Sequence, residues 1–172
     1  LRSGTLVPNF GACFTNNTGS TVTSLAVAYN GEQWRLGALG RNDQMNFEYS
    51  LNATDLVTGV WTNVTALNFV APVSAGTVGA LNGNAAANRT ALSSTISSLS
   101  IPNGATFWIR WNDTDASGAD DGLAVDDFSL TPNAAPAINL SINDVSLNEG
   151  NAGTTSNTFT VSLSAPAGPG GV

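Results

Sequence analysis

The chain has 172 residues, of which 42% are apolar and 10% charged, with a formal net charge of −7. That length holds one full domain plus a fragment, or two small domains, and the apolar share is enough to bury a core. Five scattered Arg and no Lys or His exclude the basic face that nucleic acid or an anionic membrane surface requires, so cations and neutral sugars are the electrostatically easy partners.

Thr, Ser, Asn, Ala and Gly fill the polar share in place of charge, a composition common in extracellular β-proteins and surface-layer material. No run of 18 apolar residues occurs, so no membrane-inserted helix is expected. The chain starts at Leu1 without a visible signal peptide, which fits a mature or excised product. A single cysteine, Cys13, permits no internal disulfide, and a small buried residue is its expected state.

Apolar alternation with period two dominates from the N-terminus onward. Leu25, Val27 and Tyr29 share a face over residues 23–29, and Met45, Phe47 and Tyr49 do so over residues 43–50. Trp61, then Leu67 and Phe69, continue the pattern. Residues 91–99 place Leu92, Ile96 and Leu99 at helical spacing, yet the intervening Ser and Thr are poor helix-interior residues, so a strand followed by a turn at residues 101–104 is expected. In residues 106–111, Phe107, Ile109 and Trp111 form one face, with Trp108 and Arg110 on the other. Turn-forming clusters separate these runs at Asn30-Gly31, residues 37–42, residues 72–84 and Pro102-Asn103-Gly104. Such spacing predicts an all-β, antiparallel, jelly-roll-like sandwich over residues 1–133. Residues 134–136 then close a short, stiff linker. Beyond it Ile138, Leu140 and Ile142 alternate, as do Phe159, Val161 and Leu163. Two strands cannot enclose a core, so residues 137–172 read as an incomplete domain or as strands that pair with a neighbouring subunit.

The most informative stretch is residues 106–130, which carries six of the twelve acidic residues: Asp113, Asp115, Asp120, Asp121, Asp126 and Asp127. Crowded carboxylates repel unless a cation, a hydrogen-bond donor or water compensates. Calcium takes six to eight oxygens from carboxylates, carbonyls and water, so these six are candidate metal ligands and calcium the candidate ion. The spacing departs from an EF-hand, and the alternative is a solvated acidic turn. Apolar alternation slips at Asp126-Asp127, which predicts a β-bulge.

Trp34, Arg35 and Trp108 are the candidate ligand-binding residues, because exposed Trp and Arg can stack on sugars. The competing reading makes Trp34 a cap on the core and pairs a buried Arg110 with Glu32 or Glu48. Trp111 is expected in the core. Six sequons, at Asn16, Asn52, Asn63, Asn88, Asn112 and Asn139, are candidate glycosylation sites. No His-based or zinc constellation is present. Glu32 with Glu48 is the only carboxylate pair that invites comparison with a glycosidase, and no enzyme is expected.

Two resemblances complete this reading. Ile142-Asn-Asp-Val-Ser-Leu-Asn-Glu-Gly150, Thr158-Phe-Thr-Val-Ser-Leu163, Ala165-Pro-Ala and Gly170-Gly-Val172 resemble the opening of a Calx-β domain. That resemblance implies an immunoglobulin-like sandwich of bacterial surface proteins, sometimes calcium-binding, with Glu149 at the place of an early acidic residue. The motif from Tyr29 to Arg35, Phe47-Glu-Tyr-Ser50, Leu81-Asn-Gly-Asn84 with Asn88-Arg-Thr90, and residues 107–130 resemble a β-sandwich module of large secreted bacterial proteins. Together they imply an extracellular, cell-surface structural or adhesive protein, a filament, stalk or surface-layer component that self-associates or packs against neighbouring domains. A carbohydrate-binding module, or an accessory domain of a secreted nuclease or hydrolase, is the alternative.

Overall fold

The computed structural model describes residues 7–134, 139–148 and 150–166. Its chain divides into two units, Leu1–Ala135 and Pro136–Val172. Among the described residues the regular structure is strand, with two single-turn 3-10 segments at Thr65–Leu67 and Ala86–Asn88.

The first unit is an antiparallel β-sandwich. Its strands are β1 (Asn9–Thr15), β2 (Val22–Leu36), β3 (Gln44–Ser50), β4 (Thr62–Asn63), β5 (Phe69–Val70), β6 (Gly79–Ala80), β7 (Arg89–Ile96), β8 (Thr106–Asp113) and β9 (Gly122–Ala134). One sheet runs β1-β8-β3, with β4 and β5 end to end along the far edge of β3; the other has β2 at its centre, β9 along one side and β7 and β6 along the other. Successive long strands thus alternate between sheets, as in a jelly roll.

The alternation seen in sequence is the reason the sheets face each other. Leu25, Val27 and Tyr29 on β2 meet Met45 and Phe47 on β3 and Phe107, Ile109 and Trp111 on β8 in one buried cluster. The Trp111 ring stands edge-on to both Tyr29 and Phe47, with centroids 5.3 Å apart in each pair. Each such large apolar side chain taken out of water contributes about 1.5–3 kcal/mol. Residues 89–96 are strand, not helix, and the Ser and Thr positions pair across to Ala26, Val27 and Ala28.

Three expectations are corrected. Asn30-Gly31 is not a turn: β2 runs straight through it, because Gly31 faces inward and a Cβ there would fall 2.2 Å from the Phe69 ring. The missing side chain serves close packing, not reversal of the chain. Ala134, the first residue of the expected linker, is strand, since β9 keeps pairing with β2 through it, and residues 135 and 136 lie outside the described residues. Cys13 is exposed, because it lies on the outward face of edge strand β1, opposite Trp108.

The second unit holds a two-stranded antiparallel ribbon, β10 (Leu140–Ile142) and β11 (Val161–Leu163). Flanking bonds from Asn143 N–H to the Thr160 carbonyl and from Ser164 N–H to the Asn139 carbonyl extend it by a residue at each end. Ile138, Glu149 and residues 170–172 lie outside the described residues.

Candidate functional site

The acidic stretch is split by the fold. Asp113 ends β8 and residues 114–121 form the β8–β9 loop, whereas Asp126 and Asp127 lie within β9. Asn30 pairs with Asp126 and Arg35 with Gly122 along β2, a separation of about 16 Å at ~3.3 Å per residue. The slip at Asp126-Asp127 is a bulge: Ala28 pairs with Ser129 and Asn30 with Asp126, so Asp127 and Phe128 together face Tyr29, with Asp127 at φ 51°. Its carboxylate does not turn toward the acidic loop. It accepts from Asn30 Nδ2 at 2.7 Å and from Arg89 Nη2 at 3.2 Å.

The loop itself is held by groups from residues 33–43. Asp121 is buried; its Oδ1 accepts the Gly37 N–H at 2.6 Å and its Oδ2 accepts from Gln33 Nε2 at 2.9 Å. Asp43, also buried, accepts the backbone N–H of Asp121 through Oδ2. Arg41 Nη1 lies 2.6 Å from Asp43 Oδ1, off the axis of a hydrogen bond, so the contact is an ion pair. Arg41 Nη2 donates to the Ala119 carbonyl, and Arg35 Nη1 to the Asp120 carbonyl at 2.7 Å. Gly37 lets this loop approach: a Cβ there would fall 2.1 Å from the Asp120 carbonyl oxygen. Sequence reading missed Gln33, Gly37, Arg41 and Asp43. Their signal is the Arg41-Asn-Asp43 run, which straddles the expected turn over residues 37–42 and the expected strand over residues 43–50.

Burial and the Asp43, Asp120, Asp115 and Asp121 carboxylates push the Asp113 carboxyl up to about 6. Burial also raises Asp121, against the Gly37 N–H, which lowers it. The donor set around Asp113 is all oxygen, which suits a hard cation, and Asp120 Oδ1 is a buried acceptor with no hydrogen-bond partner. Two of the loop carbonyls are already taken by Arg35 and Arg41, and among the described residues no group of three or more carboxylates is arranged to hold a metal. The corner is an ionic lock between two loops.

The candidate ligand-binding residues are not brought together. Trp34 is 42% exposed on the outer face of the β2 sheet, its Nε1 donating to Glu32 Oε2 at 2.9 Å and its ring covering Gly83. It does not cap the core, because it is the extra residue of a second bulge, between Gln33 and Arg35. Trp108 is half-buried on the outer face of the other sheet, and Arg35 is spent on the Asp120 carbonyl. Arg110 pairs with Glu48 at 2.7 Å and lies 4.0 Å over the Trp61 ring. Glu32 lies on β2 and Glu48 on β3, in different sheets, where they accept from Trp34 and Arg110 respectively. Of the sequons, Asn52, Asn63 and Asn139 are exposed and Asn88 and Asn112 half-buried. Asn16 is buried, its Nδ2 donating to the Ile101 and Ser20 carbonyls, so its amide is unavailable to a glycan.

Comparison with protein-family models, with curated proteins and with solved structures finds no match. No helix among the described residues is long and apolar enough to cross a membrane.

Proposed function

We propose that the chain is an extracellular structural or adhesive β-protein, a filament, stalk or surface-layer component, assembled through β-strand contacts. The β10–β11 ribbon carries this reading. Its register pairs Leu140 with Leu163 and Ile142 with Val161, so four apolar side chains share one face, each 37–66% exposed, with Ser141 and Ser162 on the other. A two-stranded ribbon is marginal in water, and an uncovered apolar face favours association. Unpaired strand edges suit addition to another sheet. The Lys-free, low-charge composition and the likeness of residues 137–172 to the start of a Calx-β domain support a place at the cell surface beside similar domains.

A hard cation, calcium in the first instance, belongs to this proposal as a stabiliser of the acidic corner. One or two of Asp113, Asp115 and Asp120, with water, would hold it.

Electron microscopy and sedimentation of the intact chain and of a chain lacking residues 137–172 test the proposal. Ordered filaments or sheets are expected from the intact chain and monomers from the truncated one. Dispersed monomers from the intact chain overturn it.

A second reading, a carbohydrate-binding module, is favoured by Trp34 alone: an exposed indole fixed in place by Glu32 and Gly83 offers a preorganised stacking surface. Glycan-array binding abolished by Trp34→Ala would support it, and silence across a broad array would remove it.

A further inference from the structure

One side of the sandwich, between β1 and β9, is open. Strand β1 is an edge of one sheet and β9 an edge of the other, and among the described residues neither has a partner on its outer side. Both strands point apolar side chains inward there. Phe10, Ala12 and Phe14 stand opposite the core residues Trp111, Ile109 and Phe107. Phe128, Leu130 and Pro132 follow on β9, opposite Tyr29, Val27 and Leu25.

Trp111 joins the two edges. Phe10 stacks on it with centroids 5.3 Å apart, and Phe128 meets it edge-on at 5.4 Å. Yet Phe10 stays 42% exposed and Phe128 37%. At the other end, Phe14, Leu130 and Pro132 line a cleft of about 180 Å³, comparable to the ~150 Å³ apolar cavities that take up benzene-sized groups. The result is an apolar slot along the side of the sandwich.

The same chain carries a segment of matching pattern. Phe159, Val161 and Leu163 are exposed at alternate positions, a repeat of about 6.8 Å. That is the repeat of the apolar residues on both walls of the slot. Charge points to the same pairing. Copies of a chain with net charge −7 repel one another, but residues 7–15, 128–134 and 158–166 contain no charged residue.

We infer that the slot between β1 and β9 receives residues 158–163 of a second copy of this chain, with Phe159, Val161 and Leu163 as the inserted side chains. The contact is heterologous, ribbon to slot, so it leaves one free ribbon and one free slot and propagates into an open filament. This inference rests on the self-assembly proposed above and names the surface that accepts the ribbon.

Complementation tests it. A ribbon variant, Val161→Asp with Leu163→Asp, keeps the slot, and a slot variant, Phe10→Asp with Phe14→Asp, keeps the ribbon. Near-ultraviolet circular dichroism checks that each retains its packed aromatic core; if Phe14→Asp disturbs it, Phe10→Asp with Ala12→Asp replaces that variant. By sedimentation velocity each variant alone should associate at least about tenfold more weakly than the parent, and an equimolar mixture should recover dimers that stop at two chains. A slot variant that assembles as the parent does, while the ribbon variant does not, overturns this inference in favour of ribbon-to-ribbon pairing and leaves the structural reading standing. A parent chain that stays monomeric overturns both.

Discussion

The Asp43 carboxylate accepts the backbone N–H of Asp121, so the residue before β3 and the residue before β9 are tied to each other in the protein interior. Asp121 returns the link through Gly37 and Gln33, and Arg41 balances the charge of Asp43. Two buried carboxylates are tolerated here because each has donors within reach. Asp43→Ala leaves the Arg41 charge unpaired and the Asp121 N–H buried without an acceptor. The expected loss is about 2–4 kcal/mol, read by urea denaturation. Asp43→Asn keeps an acceptor for the N–H and should lose less; equal losses would show that the hydrogen bond from the Asp121 N–H contributes nothing beyond the ion pair.

The Asp113 carboxyl, raised to about 6, binds its proton more tightly in the folded chain than in the unfolded one. Between about pH 4 and pH 6 the native state therefore holds more protons, and stability falls as pH rises through that window. Asp121, raised in the same direction, adds to the trend. Asp55, lowered by the Thr58 and Val57 N–H groups, acts oppositely: its contribution is present above the ordinary carboxylate range and lost as pH falls through its lowered value. The melting temperature should be higher near pH 5 than near pH 7, with a difference of order 1 kcal/mol after solvent screening. Asp113→Asn should stabilise the chain near pH 7 and flatten the slope; an unchanged slope would assign it to another group.

Calcium at millimolar concentration should raise the melting temperature near pH 7 by mass action. The rise should shrink near pH 5, where Asp113 is protonated, and disappear in Asp113→Asn with Asp120→Asn. Identical melting curves with calcium and with excess chelator would remove the ion from this protein's account.

Arg110 ties β8 to β3 through Glu48 and lies over Trp61, which the loop after β3 carries across the outer face of that sheet. Arg110→Ala removes a part-buried pair and the stacking together, so a loss of about 2–4 kcal/mol is expected. Trp61 fluorescence should shift to the red as its ring gains solvent. A stability loss without that shift would place the loop's anchorage elsewhere.

Cys13, exposed on the outer face of β1, should react with a thiol reagent in the native protein at nearly the rate of the unfolded chain. A protected thiol would mean that this face is covered in solution.

The sandwich was legible because burial on one face of a strand imposes period two on the sequence. The alternating runs at Leu25, Met45 and Phe107 accordingly became β2, β3 and β8, and the slip at Asp126-Asp127 became a bulge. Asn30-Gly31 was illegible, since a glycine that reverses the chain and one that admits the Phe69 ring look alike in sequence.

By itself, the sequence determined the fold class, the inward faces of the long strands and the acidic character of the β8–β9 loop, because each depends on neighbours along the chain. Only the tertiary structure decided what compensates that loop. Arg35, Arg41 and Asp43 lie roughly 70–90 positions from the groups they meet, and no local pattern records such a distance. It likewise separated Asp126 and Asp127 from the loop, exposed Cys13 and Trp34, and opened the slot between β1 and β9. Which strands end at a sheet edge is set by the order of pairing, and that order is a property of the folded chain.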